Sequence, residues 1–143
     1  GNSYGKQDTA EIHFYFRCGN VINFSLSVLI FAILTFFDKE AIRIFNQDRG
    51  LITIAAKALP VFALSFIPMS LNLIFTSFLY STKRTKQSDI IAICRGIVIK
   101  GIAIFSIPII SGSTAIWTAP LVAETLTLIL AVFLVKNTKL VYK

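Results

Sequence analysis

Three stretches without a single charged residue, at positions 18–37, 58–82 and 101–123, limit this chain more than any motif in it. A bilayer's hydrocarbon core is about 30 Å thick and takes about 20 helical residues to cross. Each stretch is long enough. A soluble chain of 143 residues could not wrap three such helices in polar surface. Charged residues make up only 15% of the sequence, well below the roughly 25% of ordinary soluble domains. The fold class that follows is all-α: a polytopic transmembrane helix bundle with the lipid bilayer as its solvent.

Four spans are expected, at about residues 11–37, 51–81, 90–110 and 113–135, forming one transmembrane domain over residues 1–143. The opening GNSYGKQDTAE run reads as a polar loop, and residues 1–8 have no apolar core that would make them a signal peptide. Between the first two spans, DKEAIRIFNQDRG places Ile42 and Phe45 one turn apart among charges, the pattern of a short amphipathic segment in the interface. Pro60 and Pro68 interrupt the second span and deprive the carbonyls of Ala56 and Leu64 of their usual partners. A polar loop at 81–89 leads to the third span, and a tight turn at Gly112 joins the third to the fourth. The chain begins at Gly1 and its one methionine, Met69, lies inside a span, so the sequence reads as a trimmed chain or part of a longer one.

The net charge of +7 sits at the ends of these spans. That is where basic residues orient membrane proteins, and it points away from nucleic acid. One side carries Lys6, Arg17, Lys83, Arg84, Lys86, Lys136, Lys139 and Lys143. The other carries Lys39, Arg43, Arg49 and Lys57, diluted by three acids. Both termini and the 81–89 loop are therefore expected in the cytoplasm. Cys18 and Cys94 are isolated thiols near that reducing side, and read as small apolar packing residues.

Polar residues recur at helical spacing on three spans: Asn20, Asn23 and Ser27; Ser65, Pro68, Asn72 and Thr76; Trp117, Pro120, Glu124 and Thr127. Such faces either line a cavity or pack helix against helix, since small and polar residues gather wherever membrane helices touch. Asn20, Asn23, Pro68, Asn72, Trp117 and Pro120 are the cavity-lining candidates. Three ionisable groups lie inside the spans. Arg95 is near the cytoplasmic end of the third and is expected to snorkel to the headgroups. Lys100 and Glu124 each stand twelve residues from Gly112. In a hairpin both then lie about 18 Å from the turn, at roughly 1.5 Å per residue. An unpaired charge at that depth costs about 2.5 kcal/mol at the least, so the two are expected to pair, or Glu124 to be held protonated in a cavity. Glu124, Lys100 and Arg95 are the ion-coupling candidates. His13 is the sole histidine, which excludes a multi-histidine metal site, and no catalytic constellation or phosphate loop is present. An enzyme is not expected.

These patches, in this order, resemble the C-terminal part of a multidrug and toxic compound extrusion (MATE) transporter. GNSYGKQD resembles the cytoplasmic loop after the eighth helix, and residues 41–88 resemble the extracellular loop plus tenth helix. Residues 88–110 are similar to the eleventh helix, with its early arginine as Arg95. Residues 111–135 are similar to the twelfth, through Trp-x-x-Pro-x-x-x-Glu at Trp117, Pro120 and Glu124. The resemblance implies helices nine to twelve of a twelve-helix, two-lobe transporter in the plasma (inner) membrane, whose partner is the remaining N-terminal lobe. It implies export of organic cations or drug-like compounds, coupled to inward flow of H+ or Na+, with no other cofactor. Two departures leave the coupling ion and substrate open: the second span lacks the acid that some members carry on the tenth helix, and the opening reads Asn-Ser-Tyr-Gly rather than Tyr-Asn-Tyr-Gly. Two alternatives stand beside it. One is a lipid-linked sugar flippase of the same superfamily. The other is a self-contained four-helix membrane protein, either an interaction subunit or a small multidrug exporter, though the latter would carry its essential acid in the first helix.

Overall fold

Residues 9–137 are described here by a computed structural model. The opening Tyr4-Gly5-Lys6 run and the tail with Lys139 and Lys143 lie outside the described residues, and the side chain of His13 is not described either. Four helical runs are long and apolar enough to cross a membrane: Phe14–Phe36, Arg49–Ser81, Thr85–Ser111 and Ser113–Lys136.

The first span is one unbroken helix, α1 (Thr9–Phe36), as a proline-free apolar stretch in lipid must be, because no water is there to satisfy a broken ladder. The interfacial segment forms α2 (Asp38–Arg43), with Asp38 and Glu40 in its first turn and Arg43 in its last, matching the helix dipole. Asp48 then caps α3 (Arg49–Leu64): its carboxylate accepts from the Gly50 and Leu51 amides at 2.7 and 3.1 Å.

The second span parts at one point only. The helix runs through Pro60 and gives way at Ser65, before α4 (Phe66–Ser81). The Pro68 ring collides with the carbonyl four residues earlier, that of Leu64. The turn before it tightens in response: the Ser65 amide donates to the Phe62 carbonyl at 3.0 Å, and the Ser65 hydroxyl donates to the same oxygen at 2.6 Å.

The third span begins earlier than its hydropathy suggests, with α5 (Thr85–Ile93). Ser88 is fully buried and donates to the Thr76 carbonyl at 3.0 Å, and the Tyr80 hydroxyl donates to the Asp89 carboxylate. These bonds draw polar residues expected in a loop into the first turns of a helix. A π-helical turn, Cys94–Val98, follows, closed by the Ile99 amide on the Cys94 carbonyl, and then α6 (Ile99–Ser111). Gly112, at φ +87° and ψ 162°, makes the reversal in a conformation essentially confined to glycine. A 3-10 turn, Ser113–Thr118, leads into α7 (Ala119–Asn137), where Pro120 falls in the first turn and costs no ladder bond.

α4 is the central helix, packed on α1 to one side and α7 to the other; α6 packs on α7, and α3 on α1 and the 3-10 turn. Apart from Ile52, Leu79 and Ile91, the buried side chains are small or polar, and large apolar ones stand bare. The interior holds Ala56, Ala63, Ala103, Ala119, Ala123 and Ala131 together with Ser65, Ser88, Asn72 and Thr127. The outside is Ile97, Ile102, Phe105, Ile109 and Ile110. Small and polar residues inside, large apolar ones outside, is the packing of helices immersed in lipid. Gly19 lets α1 come close to α4, since a Cβ there would stand 3.3 Å from the Ile74 side chain.

The two glycines of the third-span hairpin should behave oppositely. Gly112→Ala is expected to cost about 1–3 kcal/mol, read as a lower melting temperature of the micelle-solubilised protein. Gly96→Ala, which meets nothing within 4 Å, should stay within about 0.5 kcal/mol of wild type. Equal melting of the two variants would show that the turn geometry is not required.

Candidate functional site

A charge inside the hydrocarbon must find a partner, and the hairpin supplies one. The Lys100 ammonium stands 3.3 Å from Oε1 of Glu124, the pairing that their equal distance from Gly112 implies. Glu124 itself is 1% exposed. Its carboxylate also receives a cation that the sequence places elsewhere. Arg95 Nε donates to Oε1 at 3.1 Å and lies 3.1 Å from Oε2. Arg95 therefore does not snorkel to the headgroups.

The π-helical turn explains why. Five residues along a regular α-helix turn a side chain about 140° away from its starting direction. Within a π turn, positions five apart lie about one full turn from each other. The turn Cys94–Val98 begins one residue before Arg95 and ends two before Lys100, so both basic chains leave the helix toward Glu124. Helical periodicity in the sequence contains no signal for this.

Asn72, fully buried on α4, completes the cluster. Its Nδ2 donates to Oε2 of Glu124 and to the Glu124 backbone carbonyl, both at 2.9 Å. Its Oδ1 is buried without a hydrogen-bond partner. Asn72 is held from below as well, because the Thr76 hydroxyl donates to its carbonyl at 2.7 Å. One anion, two cations and an amide are thus gathered from α4, the π turn, α6 and α7, and their formal charge is +1. In a low dielectric each of these attractions is several times stronger than it would be in water. Among the described residues, no three His, Cys, Asp or Glu side chains gather to hold a metal ion, and Cys18 and Cys94 are free thiols.

The other polar candidates go elsewhere. Asn20 and Asn23 turn their amides back onto α1, donating to the Phe16 and Gly19 carbonyls at 2.9 and 3.1 Å. Asn23 and Ser27 edge a small cavity of about 120 Å³ between α1 and α4, where Ser70 donates to Ser27 at 3.2 Å. Pro68 is buried at the bend. Pro120 is half-buried, above Glu124 on α7. Trp117 leaves the stripe that spacing assigns to it: it lies in the 3-10 turn, where three residues rather than 3.6 make a turn, and this rotates it off the Glu124 face. It is 44% exposed and lines an apolar cavity of about 200 Å³ with Ile42, Ala55, Leu59 and Phe62. Both cavities are smaller than the roughly 300–1,000 Å³ that drug-sized ligands occupy.

A family model described as MatE matches residues 1–105. The matched range takes in Arg95 and Lys100 and stops short of α7 with Glu124. No curated protein and no solved structure matches the chain.

The charge balance of the cluster makes its members unequal. Glu124→Gln leaves two cations facing an amide and should destabilise the micelle-solubilised protein by about 3–5 kcal/mol. Lys100→Met removes the surplus cation and leaves a balanced Arg95–Glu124 pair, so it should cost clearly less than Glu124→Gln. In a double-mutant cycle, Lys100→Met should recover part of the Glu124→Gln loss. Strict additivity would mean that the two groups do not interact.

Proposed function

The chain belongs to the MatE family, and from that premise we propose that it forms part of a secondary transporter exporting drugs or toxic organic compounds. Export is driven by protons or sodium ions flowing inward. The segment supplies helices nine to twelve of a twelve-helix protein in the plasma (inner) membrane, with both ends of the segment in the cytoplasm. Transport proceeds by alternating access between two lobes, and the substrate sits between them. This agrees with the size of the two cavities between the spans, about 200 and 120 Å³, which are too small to hold a drug by themselves.

The observation that carries the reading is the buried carboxylate of Glu124 beside the unspent Oδ1 of Asn72. A proton or a sodium ion seeks oxygen ligands, and these are the acidic and amide oxygens at mid-depth. In the state described, Arg95 and Lys100 already neutralise Glu124, so an arriving cation competes with them. Once it binds, the two basic chains lose their counter-charge, and the clamp between α6 and α7 loosens. Ion entry and helix movement are thereby one event. Lys100, the more exposed of the two, is the cation that leaves first.

Dye accumulation in an efflux-deficient strain tests this. Cells expressing the full transporter should retain several-fold less dye than control cells, and collapse of the proton or sodium gradient should abolish the difference. Glu124→Gln, compared with the wild type at matched membrane abundance, should abolish it with the gradient intact. The segment expressed alone, lacking the second lobe, should leave retention at the control level. Full export by Glu124→Gln would remove Glu124 from the coupling path. Movement of a lipid-linked sugar across vesicle membranes, with no dye export, would replace efflux by the flippase reading.

A further inference from the structure

At the end of the bundle where the first span passes to the second, α2 and the start of α3 enclose a cleft of about 690 Å³. It is lined by Lys39, Arg43, Gln47, Arg49, Ile52 and Thr53. Half of that lining is cationic. Lys39 and Arg43 are four residues apart on one short helix and share a face, and Arg49 enters from α3. The acids that balance this segment in the sequence keep their charge but stand outside the cleft wall. Asp48 is spent on the Gly50 and Leu51 amides, Asp38 accepts from the Lys39 amide, and neither they nor Glu40 line the walls. Neither the Arg95–Glu124 pair nor the Lys100–Glu124 pair involves Lys39, Arg43 or Arg49. Three cations thus line one hollow.

Beside the hollow, apolar side chains stand bare. Ile44 is 80% exposed and Phe45 89%, and Phe36 and Phe37 are exposed as well. A soluble anion would have no use for such a rim. A rim of this kind is what seats an amphipathic element at the boundary of headgroups and acyl chains, and it puts the cleft at the depth of lipid phosphates. Trp117, which lines a cavity together with Ile42 of α2, marks the same level, since tryptophan prefers that boundary.

We propose that this cleft binds the phosphodiester headgroup of an anionic phospholipid. The two guanidinium forks of Arg43 and Arg49 match phosphate oxygens in geometry, and Lys39 adds a point charge. The Gln47 amide offers donors to the headgroup beyond the phosphate. The acyl chains run down past Ile44 and Phe45. This lipid site stands independently of the transported substrate and of Glu124.

Micelle-solubilised protein, stripped of lipid, is titrated with phosphatidylglycerol, with phosphatidylcholine and with free glycerol phosphate, and the melting temperature is followed. Retained lipids are counted by native mass spectrometry. Phosphatidylglycerol should raise the melting temperature and remain bound in the gas phase, while phosphatidylcholine and glycerol phosphate should do neither. Each of Lys39→Gln, Arg43→Gln and Arg49→Gln should weaken the apparent affinity about fivefold, the equivalent of about 1 kcal/mol per basic residue at an anionic surface. Lys83→Gln with Lys86→Gln, at the opposite end of the bundle, should leave it unchanged. Because the three cleft cations take no part in the Glu124 ion pairs, their neutral variants should melt with the wild type before lipid is added. Equal binding of phosphatidylglycerol by the triple variant, or an equal response to glycerol phosphate, would overturn the proposal.

Discussion

One carboxylate holds this bundle in register. Glu124 lies inside the hydrocarbon, where an ionised group has no solvent to fall back on, and it is tied to Arg95, Lys100 and Asn72. Three of the four spans meet at that point. Lipid gives helices no hydrophobic reason to associate, so packing and polar contacts must do it. Around the cluster the packing residues are alanines: Ala103, Ala119 and Ala123 lie between α6 and α7. Small side chains bring the backbones close, and closeness allows the charged chains to meet. Further along, Leu79, Ile91 and Ala131 close α4, α5 and α7 together in a more ordinary apolar contact. The first span is joined by weaker means, through Phe16 against Phe75 and Phe78 and the Ser70–Ser27 hydroxyl pair.

The π-helical turn is the device that gives the cluster its third charge. An extra residue in a helix turn costs hydrogen-bond quality, and such turns gather at functional sites for that reason. Here the return is plain. Without it Arg95 would point about 140° from Lys100, toward lipid, and Glu124 would face a single cation. With it the cluster carries one positive charge too many. A balanced pair would be a structural rivet; an unbalanced triad is responsive, because any change in the charge on Glu124 alters two partners together.

The sequence disclosed those parts of this arrangement that depend on composition and on linear distance. Charge-free stretches locate the spans, and equal distance from Gly112 brings Lys100 level with Glu124. What it concealed depends on departures from the regular helix. The π turn reorients Arg95, the 3-10 turn removes Trp117 from the Glu124 face, and the Pro68 ring transfers the break in the second span to Ser65. The loop expected at 81–89 was hidden differently: its polar residues look like solvent-facing ones, yet Ser88 is fully buried and bonded to α4. Asn72 and Glu124 each stood on a polar stripe, but a stripe does not say which neighbour it faces.

The position of the break relative to the charges bears on how such a bundle moves. Ser65 lies seven residues, about two helical turns, before Asn72. Everything on the far side, α4, is anchored through Asn72 to α7 and through Ser88 to α5. Everything on the near side, α3, rests against α1, α2, the 3-10 turn and part of α7, and makes none of the cluster's bonds. The span therefore consists of a half tied into the cluster and a half that is not, divided at Ser65, where the helix is interrupted. The bonds of the cluster thus reach one half of this span and stop at its break, so a change in the charge on Glu124 acts first on α4, α6 and α7.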